Sequence, residues 1–403
     1  MTGKKPKILL VMHTVPLDSG FLAAKFIKLS GRFDTHLLVW DSNDSINKFI
    51  EKYHQPNNFK NKIHSGGYTT ISLIRNILKL ISLMIFKASI RKYVFKDAAA
   101  WTKRIKFIIY YLPVFKLNPD IIHYEFGTLA VKIKDIKELS GSKQIVSFRG
   151  YDLNYVKLDD PSYYSDVWEY VDGVHFLGND LKNRGIKRGY KGDKLEAIIP
   201  PAIDTDIFKR NANTINYNKL LIVSTGRLTW KKGFEYGIRA VAELKKRNIP
   251  FKYIIIGGGD YLQALQFTIQ ELHMENEVLL AGKMNSSEIK NYLNTANVFL
   301  HPAISEGFCN AVIEAQAMGV PVICSDADGL PENIVNNVTG FVLPKWDIMA
   351  IADKLEWCYK NPDEAVKMGQ AGAQRARLYF KLEDQIDAFE IFYKQVYKSV
   401  NEN

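Results

Sequence analysis

Short, largely apolar runs alternate with amphipathic stretches along both halves of the chain. The runs fall at 8–12, 35–40, 121–124, 144–148, 173–177 and 195–199, and again at 220–224, 253–256, 278–280, 298–301, 322–324 and 340–343. Stretches such as 234–247, 261–273 and 286–294 repeat their apolar positions at helical spacing. Strands that alternate with helices predict parallel sheets covered on both faces, the doubly wound α/β class. Pro200-Pro201 and the following loop, 204–218, rich in Asn, Asp and Thr, mark a boundary. The expected organisation is two Rossmann-like domains, 1–200 and 201–382, facing each other across a cleft. A last helix, within 383–403, comes after the second sheet is complete and is expected to pack back on the first domain. With 403 residues there is ample chain for two cores.

Open parallel sheets bind ligands beyond the carboxyl ends of their strands, and the candidate chemistry sits at such ends. In SEGFCNAVIEAQAMGVPVICSD, 305–326, a predicted strand leads through a loop into a helix starting near Asn310. The unpaired N–H groups and positive end of that helix, at Asn310, Ala311 and Val312, suit a phosphate. Glu314 lies one turn in, on the Asn310 face, and Glu306 precedes the helix. Each acid alone reads equally well as turn or helix-start chemistry. Together, beside an anion site, they fit a phosphate flanked by polyhydroxylated rings. In STGRLTWKKGFEYGIRA, 224–240, Gly226 turns the chain after a strand and Arg227 and Lys232 follow. These two cations would bracket a diphosphate, Arg as a bidentate fork and Lys as a point charge. By itself the spacing also describes a solvated basic loop.

The order GRL-x-x-KKG, IIIGGGD (254–260), VLLAGKM (278–284) and SEGF with Glu-x7-Glu resembles family 4 of the retaining glycosyltransferases, which have the GT-B fold. A looser match runs through the Gly20 loop, DIIHYEFG (120–127), SFRGYDL (147–153) and PPAIDTDIF (200–208), and is similar to the subgroup that builds bacterial exopolysaccharide and surface glycans. The resemblance implies catalytic roles for Arg227 and Lys232 on the departing diphosphate and for Glu306 near the donor sugar. It implies donor binding by Glu314 at the ribose, by Gly307, Phe308, Asn310, Ala311 and Val312 at sugar and phosphate, and by Gly20 from the other domain. Lys283 and Met284 match the segment against the base. Two positions depart from the family: Arg149 stands where His is common, and Glu125 replaces the second His of DIIH-x-H. Arg149 offers a permanent charge to the donor but no acid or base near neutrality. His123, Glu125 and Asp152 are assigned to the acceptor side. No metal or other cofactor is expected.

Other signals carry less. Asp204-x-Asp206 and Asp326-x-Asp328 read as turn and cap residues. Gly257-Gly258-Gly259 lacks the third glycine of a dinucleotide fingerprint, which Leu262 replaces. Cys309 reads as a small packing residue. The three cysteines match neither a disulfide framework nor a metal site and suit a reducing cytoplasm. The apolar run 8–12 is shorter than the roughly 7–15 residues of a secretory core.

Charge changes the picture in one place. Residues 60–116 hold twelve Lys and Arg and one acid, Asp97, a surplus equal to the net charge of the whole chain, +11. Within 71–86 Ser72, Arg75, Asn76, Lys79 and Ser82 share a narrow polar face, and Arg91, Lys92, Lys96, Lys103, Arg104 and Lys106 follow among aromatics. Basic amphipathic helices at about 71–111 are expected to contact an anionic membrane surface through Arg75, Lys79, Arg91 and Lys92. The alternative is a pair of core-covering helices with solvated charges. No nucleic-acid motif accompanies the cations.

The expectation is a cytoplasmic, peripheral enzyme of the inner membrane face. It would move a hexose from a nucleotide sugar, UDP-linked or else GDP-linked, to a lipid-linked glycan with retention. The competing readings are a sugar-nucleotide epimerase or phosphorylase on the same fold, or an inactive GT-B scaffold that binds glycan or lipid.

Overall fold

The computed structural model describes residues 5–17, 19–67, 70–97, 99–210 and 218–399, with backbone only over 70–76. Two compact units form. The first comprises 1–177, 181–199 and 386–403, and the second 178–180 and 200–385.

The first unit is built on strands β1 (Lys7–Val11), β2 (Asp34–Val39), β3 (Ile63–Ser65), β4 (Ile121–Tyr124), β5 (Lys143–Phe148), β6 (Gly173–Phe176) and β7 (Leu195–Ile198). They form one sheet of order β3-β2-β1-β4-β5-β6-β7, with every pair parallel. Ile8, Leu9, Leu10, Ile121, Ile122, Ile145 and Val146 are fully buried, as the middle strands of a sheet covered on both faces must be. From Ile386 onward the last helix, Leu382–Lys398, supplies Phe389, Phe392, Tyr393 and Val396 to this core. Strand β3 is absent from the apolar pattern because its three residues include one buried side chain, Ile63. The basic region folds as four helices, Thr70–Phe86, Ala88–Val94, Trp101–Tyr110 and Leu112–Leu117.

The second unit holds β8 (Leu220–Thr225), β9 (Phe251–Ile256), β10 (Val278–Gly282), β11 (Val298–His301), β12 (Val322–Ser325) and β13 (Gly340–Leu343). Their order is β10-β9-β8-β11-β12-β13, again parallel throughout. In both sheets the connection direction reverses beside the first strand, between β1 and β4 and between β8 and β11. That reversal opens a crevice at the carboxyl ends of those strands.

Candidate functional site

In the second unit both predicted motifs meet at the β8/β11 reversal. The chain leaves β8, turns, and enters the helix Phe234–Lys246 through Gly233, whose φ is +65°. A Cβ at Gly233 would lie 1.9 Å from the Pro302 carbonyl oxygen, so only glycine lets the two loops touch. The contact is secured by the Ile304 N–H, which donates to the Lys231 carbonyl at 2.7 Å. Lys232 is thereby placed to ion-pair with Glu306, both side chains being largely but not fully covered. Burial works against both charges, but each answers the other. Lys232 is held above its ordinary value by the Glu306 charge, and Glu306 is drawn down to about 2, chiefly by Lys232. Both stay ionised across the physiological range. Arg227 is exposed, its guanidinium has no hydrogen-bond partner among the described residues, and its charge is close enough to oppose those of Lys231 and Lys232.

The helix Asn310–Ala317 begins beside this pair. Its N-cap, Cys309, makes no side-chain cap, and the N–H groups of Asn310, Ala311 and Val312 have no partner among the described residues. Cys309 is clamped by Asn333, whose amide donates to its carbonyl at 3.0 Å and accepts from its N–H at 3.3 Å. Gln316 ties Asn333 to the same helix through a 2.9 Å bond to its carbonyl. The preceding loop is pinned by the Gly329 N–H on the Glu306 carbonyl at 3.0 Å and by Ser305 on Asp328. Glu314 projects one turn in, partly exposed, and its carboxylate has no hydrogen-bonding or ionic partner among the described residues. Loss of surrounding water pushes its carboxyl up to about 7. Gly307 is buried, Phe308 packs edge-on against Phe380 at 5.8 Å, and Lys283 and Met284 follow β10 on the same side of the sheet.

His301, Glu306 and Cys309 place an imidazole nitrogen, a carboxylate oxygen and a sulfur within 4.8 Å of one another, a ligand set of metal-binding composition. The Glu306 oxygen on the imidazole side is also the one that accepts from Lys232, so a fixed ammonium already neutralises it. Asp204 caps its own turn, accepting from the Asp206 N–H at 3.0 Å, and Asp326 accepts from Lys345 N–H at 2.9 Å.

In the first unit the residues assigned from the looser match come together at the β1/β4 reversal, in a buried network. Glu125 accepts from Lys25 Nζ at 2.5 Å on one oxygen and from Arg149 Nη2 at 2.7 Å on the other. Arg149 Nε also donates to the Glu125 carbonyl at 2.9 Å, and its guanidinium lies between the rings of Phe21 and Phe126. Burial lowers Lys25 to about 8, while Glu125, despite burial, is held far below the carboxylate range by Lys25 and its other cationic neighbours. The cluster therefore carries one net positive charge, and 11% of the Arg149 side chain reaches the surface. His123 is fully buried between Tyr393 Oη and Ser147 Oγ, each at 2.7 Å, and burial keeps the imidazole neutral. Asp152 is fully buried too, accepting from the N–H groups of Arg149 at 2.9 Å and Thr128 at 3.2 Å. His123, Glu125 and Asp152 thus have their polar atoms engaged inside the unit. Gly20 opens the helix Gly20–Arg32, and a Cβ there would meet nothing within 4 Å.

Neither Lys25 nor Asn333 is a candidate in the sequence analysis. Lys25 carried a legible signal, a lysine on the apolar stripe of Leu22, Phe26 and Leu29. Asn333 carried none, because its role depends on a contact 24 residues away.

Comparison with known proteins follows the same division. Residues 206–375 match the family Glycosyl transferases group 1. The amylovoran biosynthesis glycosyltransferase AmsK of Erwinia amylovora is 31% identical over 241 residues, 58% of this chain and 59% of that protein. The putative colanic acid biosynthesis glycosyltransferase WcaL of Escherichia coli K12 is 28% identical over 250 residues, 60% of this chain and 61% of that protein. The matched region thus spans about three fifths of each of these relatives. Among solved structures, Anabaena Alr3699/HepE in complex with UDP and glucose superposes with a TM-score of 0.74 at 16% identity, over 97% of this chain and all of that one. A glycosyltransferase from Rickettsia africae ESF-5 gives 0.74 at 19% identity over the whole of both chains. These superpositions establish the GT-B fold.

Proposed function

We propose, from the match of residues 206–375 to the family Glycosyl transferases group 1 and from the charges gathered at the β8/β11 reversal, that the chain is a retaining glycosyltransferase of exopolysaccharide or surface-glycan synthesis. The observation that carries the reading is the convergence of the Lys232–Glu306 pair, the exposed Arg227 and three unpartnered helix N–H groups on one crevice. A nucleoside diphosphate supplies the negative charge this arrangement lacks. Its sugar would lie toward Glu306, and its ribose hydroxyls would donate to Glu314.

In the transfer, the bond between the anomeric carbon and the diphosphate oxygen breaks as a new bond forms to an acceptor hydroxyl on the same face. The hydroxyl proton passes to the departing phosphate. Charge develops on sugar and diphosphate together, and preorganised donors at the leaving group lower the barrier without reorganisation. Lys232, Arg227 and the helix tip perform that task, with Glu306 holding the Lys232 ammonium in place. On this reading the cationic side chains take the role that a divalent ion serves elsewhere. The donor is a UDP-hexose by preference, in keeping with the UDP and glucose of the Anabaena complex. The acceptor is a lipid-linked glycan, reached by a chain that works at the cytoplasmic membrane face.

The membrane part rests on the basic helices. Leu78 and Ile85 are each 65% exposed and Phe86 is 83% exposed, among cations that include the exposed Arg91 and Lys92. The side chain of Arg75 lies outside the described residues. Among these residues no helix is long and apolar enough to cross a membrane. The test is a screen of UDP- and GDP-sugars for saturable binding and for transfer to lipid extracts, with the anomeric configuration of the product read by NMR. Transfer with retention supports the reading. Binding without transfer or hydrolysis for every donor returns the chain to a glycan-binding scaffold.

A further inference from the structure

A second cavity lies in the first unit, away from the β1/β4 reversal. It is half open to solvent and measures about 460 Å³, between the edge strand β3 and the basic helices. That volume falls within the range of small-molecule sites, roughly 300–1,000 Å³. Its walls divide by chemistry. Ile109, Leu112 and Leu117 give it an apolar side, while Lys79, Lys116 and His64 face it with polar groups. No carboxylate lines it among the described residues.

His64 adds no charge near neutrality. Burial and the neighbouring His36 and Lys116 lower it to about 4, and its Nε2 lies 3.0 Å from His36 Nδ1. The charged side chains that line the cavity are therefore two lysines, beside an apolar wall, in the region that holds the whole chain's positive surplus. Lys79 and Lys116 come from two different helices and meet at one half-open cavity with an apolar side, a combination that suits an anion carrying a hydrocarbon portion.

We infer that this cavity binds the phosphate headgroup of one anionic lipid, with the first carbons of its chains against Ile109, Leu112 and Leu117. The inference rests on the membrane reading above and sharpens it, from a charged surface spread over many lipids to a stoichiometric site for one. A bound headgroup would seat the basic helices at the depth where Leu78, Ile85 and Phe86 enter the acyl boundary.

The experiment titrates the full chain with dihexanoyl phosphatidic acid below its micellar concentration, read by native mass spectrometry and calorimetry. Inorganic phosphate and dihexanoyl phosphatidylcholine serve as parallel arms. One phosphatidic acid per chain is expected, with affinity at least about tenfold above either control, and a loss of about tenfold or more in the Lys79→Gln/Lys116→Gln variant. Inorganic phosphate binding as tightly as the lipid would make this a free-anion site and overturn the inference. Phosphatidylcholine binding equally would reduce it to an apolar groove and overturn it too, as would unchanged affinity in the variant. Sedimentation of the wild-type chain with anionic liposomes, measured alongside, keeps the two readings apart. Sedimentation without a stoichiometric site overturns the cavity alone, and no sedimentation overturns the membrane reading itself.

Discussion

The two units solve the same topological problem and spend their charges differently. Each sheet reverses direction beside its first strand, and at each reversal a carboxylate meets a lysine, Glu125 with Lys25 and Glu306 with Lys232. In the first unit the carboxylate takes a second cation, Arg149, and all its polar atoms are engaged in the interior. In the second it takes one, stays partly exposed, and leaves Arg227 and a helix tip uncommitted. Ionic groups that satisfy one another inside a protein fix its conformation, and removing one member strands the others. Ionic groups left at the rim retain capacity for a ligand. On the proposed reading the same residue types at the same place in the fold report structure in one unit and chemistry in the other, and burial decides which.

Breaking the buried cluster should produce the largest effect. Glu125→Ala leaves Lys25 and Arg149 facing each other without a counter-charge. A loss of about 3–5 kcal/mol is expected in urea unfolding, whereas Glu306→Ala, with water near both partners, should cost clearly less. Equal losses would erase the distinction between the two sites. Lys232→Ala should lower kcat by about 10²–10³-fold, the usual effect of removing one preorganised donor from developing charge. Its circular dichroism should match the parent's, and its unfolding midpoint should fall, by less than that of Glu125→Ala, because Glu306 loses the charge that holds its carboxyl low.

Glu314 tests the open site by pH. Its carboxyl keeps its proton up to about pH 7 in the folded chain, against an ordinary value of 4.5. Between those values the unfolded chain binds fewer protons, so stability falls as pH rises through this window, by on the order of 2–3 kcal/mol. Glu314→Gln should flatten that slope, leave the protein more stable than its parent at pH 8, and weaken nucleotide binding in calorimetry. A variant that binds UDP as tightly as the parent would remove the ribose assignment. The smallest effect belongs to Arg227→Lys, which keeps the charge and loses the fork. About 1 kcal/mol of donor affinity, near fivefold, should be lost, with stability unchanged.

How legible each part was follows from the range of its contacts. Twelve of the thirteen strands among the described residues announce themselves as short apolar runs. Most do so because a parallel sheet buried on both faces leaves no polar alternation to confuse them, while β7, at an edge and largely exposed, is mostly apolar without being buried. The thirteenth, β3, sits at an edge and has little to bury. The donor-side elements were readable because Glu306, the helix tip and Glu314 lie within nine residues, and the cations fall within six. The first unit was not readable in this way. Glu125 and Lys25 are 100 residues apart, and His123 meets Tyr393 across 270. No local pattern encodes such a meeting, so resemblance alone assigned His123, Glu125 and Asp152 to the acceptor side, and the fold shows what no spacing could, that all three are buried.

Gly233 carries a consequence for genetics. A single methyl there collides with the Pro302 carbonyl and must also hold φ at +65°, so Gly233→Ala pries the lysine turn from the loop that bears Glu306. On the proposed reading such an allele parts Lys232 from Glu306 without touching either side chain, which makes it a loss-of-function control for complementation in cells.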